Sequence, residues 1–148
     1  MINEFAGRDV FDSRDIQERI DELEPTADSL LALTERIEDM AADPEHDPDS
    51  LRELEDDKAQ IDMDEIDEYN ELLEFKNDAG TSEWSYGVTF IEDSYFEEYA
   101  QELAEDIGAI PRGVSWPCTC IDWEQATREL KMDYSVVEFG EYTYYYRD

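Results

Sequence analysis

The chain carries 43 aspartates and glutamates against 11 lysines and arginines, a formal net charge of -32 over 148 residues. Self-repulsion on that scale opposes compaction. Any fold must therefore bury enough apolar surface to offset it. The means are present: 41% of the residues are hydrophobic, with 9 Tyr, 6 Phe and 3 Trp among them. Full disorder is not expected of such a composition. The length suits one ordinary domain or two small ones. So acidic a surface excludes attraction to nucleic acid or an anionic membrane and favours basic grooves and cations. The N-terminus MINEFAGRDVFDSRD has no apolar signal-type core, and no stretch approaches the ~20 apolar residues of a membrane span. Cytoplasmic residence is the default expectation.

Hydrophobic periodicity predicts helices over about residues 1–78. Ser13 can cap a helix with Ile16, Ile20 and Leu23 on one face, and Pro25 ends it or opens the next. Leu30, Leu33, Ile37 and Met40 form the seam of a second helix. The run DPEHDPDS, Asp43 to Ser50, reads as a turn. A third helix is predicted over Leu51 to Phe75, roughly 37 Å if continuous. The second and third would form an antiparallel hairpin. Their seams also offer a surface for a homodimer.

Lys76 to Ser85 (KNDAGTSEWS) marks the expected boundary, dividing a helical region 1–78 from a domain 79–148. Tyr86 to Ile91 reads as a strand. Ser94 with Glu97 suggests a capping box before a helix carrying Phe96, Tyr99, Ala100, Leu103 and Ile107, closed by Gly108. Asp122 with Gln125 opens a shorter helix through Trp123, Ala126 and Leu130. Tyr134 to Phe139 and Tyr142 to Arg147 flank Gly140-Glu141 as a β-hairpin. The predicted fold class is α+β: an acidic helical hairpin, then a small domain with a three-stranded antiparallel sheet and two helices.

Both halves share the charge. Residues 1–80 hold 28 acids and 7 bases, and residues 81–148 hold 15 and 4. Between Glu53 and Glu74 Lys58 is the only base. Glu53, Asp56, Asp57, Asp64, Asp67, Glu68, Glu71 and Glu74 recur there at helical spacing, where neighbours stand about 5–6 Å apart. Such rows are the candidate working surface. Duplex DNA carries one negative charge per ~1.7 Å, so a net charge of -32 matches roughly 54 Å of duplex. Carboxylates could stand in for phosphates toward Arg and Lys of a DNA-binding groove. Composition alone supports adaptation to high salt equally well, since only 3 of the basic residues are Lys.

Other chemistry has little footing in the sequence. His46 is the only histidine, and no nucleophile motif or Gly-rich phosphate loop is present. Neither DPEHDPDS nor DMDEIDE has EF-hand spacing, so no metal site or cofactor is expected. Cys118 and Cys120 read as two buried or partly buried free thiols. Phe96, Tyr99, Trp123, Tyr134 and the cluster Tyr142 to Tyr146 read as core.

The runs FIEDSYFEEYAQELAEDIGAI (Phe90 to Ile110) and WPCTCIDWEQATRELKMDYSVVEF (Trp116 to Phe139), with the Tyr-rich end YTYYYR, resemble ArdA-like antirestriction proteins of phages and conjugative elements. The resemblance covers about residues 86–147. It implies a DNA mimic, usually dimeric, that occupies the DNA-binding groove of type I restriction-modification enzymes, with no catalysis and no cofactor. The acids it carries over are Glu92, Asp93, Glu97, Glu98, Glu102, Glu105, Asp106, Asp122, Glu124 and Glu129. Glu98, Glu102, Glu105 and Asp106 lie at helical spacing as one expected row, while Glu97 and Asp122 are expected to cap helices. Two further readings remain open. One is a mimic aimed at a CRISPR effector, nucleoid protein or repressor. The other is an acidic coiled-coil-like interaction protein of a salt-adapted host.

Overall fold

The computed structural model describes residues 3–113 and 115–147. The fold is α+β. Its elements run β1 (Val10–Asp12), α1 (Ser13–Ala42), α2 (Pro48–Ala59), α3 (Met63–Ala79), β2 (Thr89–Glu92), α4 (Phe96–Asp106), α5 (Trp123–Lys131), β3 (Ser135–Phe139) and β4 (Tyr142–Tyr146). Contacts divide the described chain into two compact units, one of Gln17–Glu74 and the other of Asn3–Ile16 with Phe75–Asp148. Among the described residues, no helix is long and apolar enough to cross a membrane.

In the helical unit, α1 runs unbroken through Pro25. The expected break there does not occur. Proline removes one main-chain donor, and the helix tolerates this at an exposed position between two apolar stretches. The long third helix predicted over Leu51 to Phe75 is instead two helices. α2 ends at Ala59 and α3 starts at Met63, with the side chain of Asp62 accepting the N–H of Asp64 at 2.9 Å. Pro48 opens α2 beside the N-cap Asp47, whose carboxylate accepts the N–H of Asp49. Ile20, Leu23, Leu54, Ile66 and Leu72 are buried.

The other unit is built on a sheet of four antiparallel strands, not three, in the order β1-β2-β4-β3. The unforeseen strand is β1, whose three residues pair Val10 with Ile91, Phe11 with Phe90 and Asp12 with Thr89. Three residues are too few to show an alternation in sequence. Ser13 does not act as the expected cap. It is fully buried, donates its hydroxyl to the carbonyl of Trp84 and accepts the N–H of Val88, both at 2.8 Å. Asp12 takes the capping role instead, accepting the N–H of Arg14 at 2.8 Å. The hydrogen bond from the Arg14 side chain holds the Asp12 carboxyl below its ordinary pKa.

Alternation along the strands sends one set of rings to each face. On one face Phe75 of α3 stacks on Phe139 at 4.3 Å and meets Phe90 edge-on at 4.9 Å, with Phe11 4.7 Å from Tyr144. On the other, Phe96 of α4 meets Tyr145 and Tyr134 at 5.3 and 5.2 Å. Lys131 lies 4.7 Å from the Tyr145 ring and 2.6 Å from Asp93. The hairpin forms as expected, with Phe139 opposite Tyr142 and Gly140 at φ 61° opening the two-residue turn. Gly108, at φ 78°, closes α4 as anticipated; the N–H of Ala109 reaches back to the carbonyl of Ala104 at 2.9 Å.

Tyr144 ties the N-terminal segment to this core. Its hydroxyl accepts the N–H of Gly7 at 3.0 Å and donates to the carbonyl of Arg8 at 2.7 Å. Burial pushes this phenol up to about 12 from its ordinary value of 10.0. The fold thus favours neutral Tyr144, so its contribution is complete below pH ~10 and lost as pH rises toward about 12. Urea titrations across that range should show stability falling in wild type. Tyr144→Phe should be weaker at neutral pH yet fall less steeply. An equal slope in the two proteins would contradict this role.

Candidate functional site

The acidic stripe of α4 comes from simple spacing. Ser94, Glu97, Glu98, Gln101, Glu102 and Glu105 line one open surface depression, three and four residues apart along the helix. The row expected from sequence therefore assembles for Glu98, Glu102 and Glu105. Asp106 departs from it and lies 3.5 Å from Arg112. Glu97 joins it, against expectation. Glu92 caps the short 3-10 turn Asp93–Tyr95 that leads into α4, through hydrogen bonds from the N–H and hydroxyl of Ser94. Glu97 is thereby left exposed on the stripe. The signal in the sequence is Glu92, two residues before Ser94, where its carboxylate reaches the Ser94 N–H. Asp122 does cap α5, accepting the N–H of Gln125 at 3.1 Å.

Within the stripe, Glu102 accepts the Tyr95 hydroxyl at 3.0 Å. That bond is the main reason the Tyr95 phenol is pushed up, aided by burial and by the charges of Glu102 and Glu98. Glu97 and Glu98 in the first turn suit the positive end of the helix dipole. Glu105 and Asp106 in the last turn oppose its negative end, where the helix has no base. The end of α1 also lacks a base in its last turn.

The helical unit holds the other expected acids. Glu53, Asp56 and Asp57 on α2 are exposed, as are Asp64, Asp67 and Glu74 on α3. Because α2 and α3 are separate helices, these residues form two rows where sequence suggested one. Glu71 is half-buried. Glu68 is not available to an outside partner. It is buried and takes two bonds from the Arg19 guanidinium, at 2.9 Å from Nε and 2.7 Å from Nη2. Arg19 also meets Glu22 at 3.0 Å, and the bond to Glu68 is the chief cause holding its proton more firmly.

Among the described residues, no group of three or more His, Cys, Asp or Glu is arranged to hold a metal ion. The carboxylates are spread over helix faces and do not converge. His46 turns Nδ1 toward the carbonyl of Asp43 in the α1–α2 loop. Cys118 is half-buried as anticipated, but Cys120 is exposed, and both thiols are free. What the arrangement offers chemically is a display of negative charge on rigid helices. No protein-family model, curated protein or solved structure matches this chain.

Two outcomes check these assignments. Glu68→Ala should lower the unfolding free energy by about 2 kcal/mol in urea titrations, since it strips a charged hydrogen-bond partner from Arg19. Exposed Asp67→Ala should change it by less than about 0.5 kcal/mol. The double variant Glu102→Gln, Glu105→Gln should raise the melting temperature at low salt, each change relieving like-charge repulsion by a few tenths of a kcal/mol. Added salt should erase that gain.

Proposed function

We propose that this protein is a DNA-mimic inhibitor of the ArdA-like kind, whose carboxylate faces occupy the DNA-binding groove of a host defence enzyme. A type I restriction-modification complex is the leading target. One observation carries the reading: the acidic stripe of α4, which holds no base and runs on to Glu105 in the last turn, where an acid costs stability. A chain selected for stability alone would place Lys or Arg there. The stripe also falls within the segment that resembles the antirestriction family.

The mechanism needs no catalytic group and no cofactor. Carboxylates on α4, and the exposed rows on α2 and α3, accept hydrogen bonds from Arg and Lys that otherwise hold phosphates. Association releases the small ions held by both surfaces, so affinity falls steeply with salt. We read the helical unit as a hairpin whose second arm is broken. Arg19 and Thr26 of α1 meet Glu68 and Glu65 of α3 in reversed order, which supports antiparallel arms.

The test is displacement. A type I restriction-methylation complex is bound to labelled duplex and the protein titrated in at several salt concentrations. Stoichiometric release that fades as salt rises is the expected outcome. The triple variant Glu98→Gln, Glu102→Gln, Glu105→Gln should displace at least about tenfold less well while remaining folded. Absence of displacement at low salt by folded protein would remove this enzyme class and leave a CRISPR effector, nucleoid protein or repressor as the next basic partners to try. A protein folded only in high salt would favour the salt-adapted interaction reading.

A further inference from the structure

Acids recur along nearly the whole chain, with one long interruption. The longest run without an aspartate or glutamate is Ile107 to Ile121, fifteen residues between Asp106 and Asp122. The next longest, Trp84 to Ile91, has eight. The longer run joins α4 to α5 and contains both cysteines of the chain. Cys118 is half-buried, Cys120 is exposed, and both are free thiols.

The main chain fixes how these thiols stand. Cys118–Cys120 is a 3-10 turn. The N–H of Cys118 donates to the carbonyl of Ser115 at 2.7 Å, and that of Cys120 to the carbonyl of Pro117 at 2.9 Å. The N–H of Ile121 closes the turn on the Cys118 carbonyl at 3.4 Å. Three residues per turn set residues two apart about 120° around the axis and about 4 Å along it, so their Cβ atoms stand roughly 6–7 Å apart. A disulfide needs about 4 Å, and forming one would require the turn to move. An ion between the sulfurs, with a bond of about 2.3 Å on each side, lengthens the link by about 2.5 Å and spans the gap.

We propose that Cys118 and Cys120 bind one soft monovalent cation of the copper(I) class, held in a line between two thiolates. The donor set selects the ion. Thiolates prefer soft cations, whereas calcium and magnesium take oxygen ligands that the acid-free run does not offer as carboxylates. Zinc takes four ligands, and only two are present in the turn. Asp122, the next acid in sequence, gives its carboxylate to the N–H of Gln125. Binding is a proton exchange. Each thiol releases its proton as its sulfur–copper bond forms, so one ion displaces two protons and no electron moves. Affinity therefore falls as pH is lowered. The site is independent of the carboxylate faces and of any partner they bind.

The test is a competition under anaerobic, reducing conditions. The full chain, in high salt to screen its carboxylates, is titrated into copper(I) held by the chelator bicinchoninate. Wild type should withdraw one ion per chain, and X-ray absorption should show two sulfur neighbours. Loss of a group that merely supports a metal ligand costs about 10–100-fold in affinity, so loss of a ligand should cost at least about a hundredfold. Cys118→Ser and Cys120→Ser should each show that loss with an unchanged circular dichroism spectrum. Should the half-buried Cys118→Ser lose its fold, the exposed Cys120→Ser carries the comparison. Folded wild type that withdraws no copper(I) overturns the proposal, as does a folded serine variant that withdraws it as well as wild type. Half an ion per chain also overturns it, since the ion would then be shared between two copies.

Discussion

Everything in the sheet-bearing unit depends on the ring packing around Phe75. Phe75 stacks on Phe139 and touches Phe90 and Phe11, whose neighbours include Phe5 and Tyr144. These rings come from both ends and the middle of the chain, so one cluster closes the whole unit. Each aromatic side chain buries on the order of 150–250 Å², and edge-on and stacked pairs add about 0.5–1.5 kcal/mol apiece. A core of this kind can stand against the repulsion of a surface at net charge -32. It also relieves the surface of any stabilising task.

That division of labour shows in the electrostatics. Where an acid sits inside, it is matched: Glu68 is buried against Arg19. Where acids sit outside, they are left in rows on α2, α3 and α4. Exposed ion pairs such as Arg128–Glu124 and Arg112–Asp106 contribute little in water. The outer carboxylates therefore present a field without binding one another, which is what a groove evolved to hold phosphates would attract. The price is paid in helix stability, most plainly at Glu105 and Asp106.

Local chemistry made much of this legible beforehand. Asp122 caps α5, Gly108 closes α4 and Gly140 turns the hairpin because each position favours a small set of residue types for its backbone. Long-range partners were not legible. β1 is a strand only because β2 lies beside it, and Ser13 is buried by Trp84 and Val88, more than seventy residues away. Pro25 looked like a stop because sequence shows the lost donor but not the apolar residues that hold both sides of α1. Glu68 looked like its exposed neighbours, since spacing alone does not reveal that Arg19 lies across from it. Glu92 and Glu97 are both spaced to cap at Ser94, and spacing alone does not say that Glu92 takes the N–H.

Thermal unfolding followed by circular dichroism, from low to high salt, tests the central claim that an aromatic core carries the fold while the charge is displayed. The protein should be folded at low salt and melt cooperatively, with a melting temperature that rises as screening relieves the repulsion. A chain that is unfolded at low salt and folds only when salt is added would contradict this, and would mean that cations, not the rings around Phe75, hold the structure together.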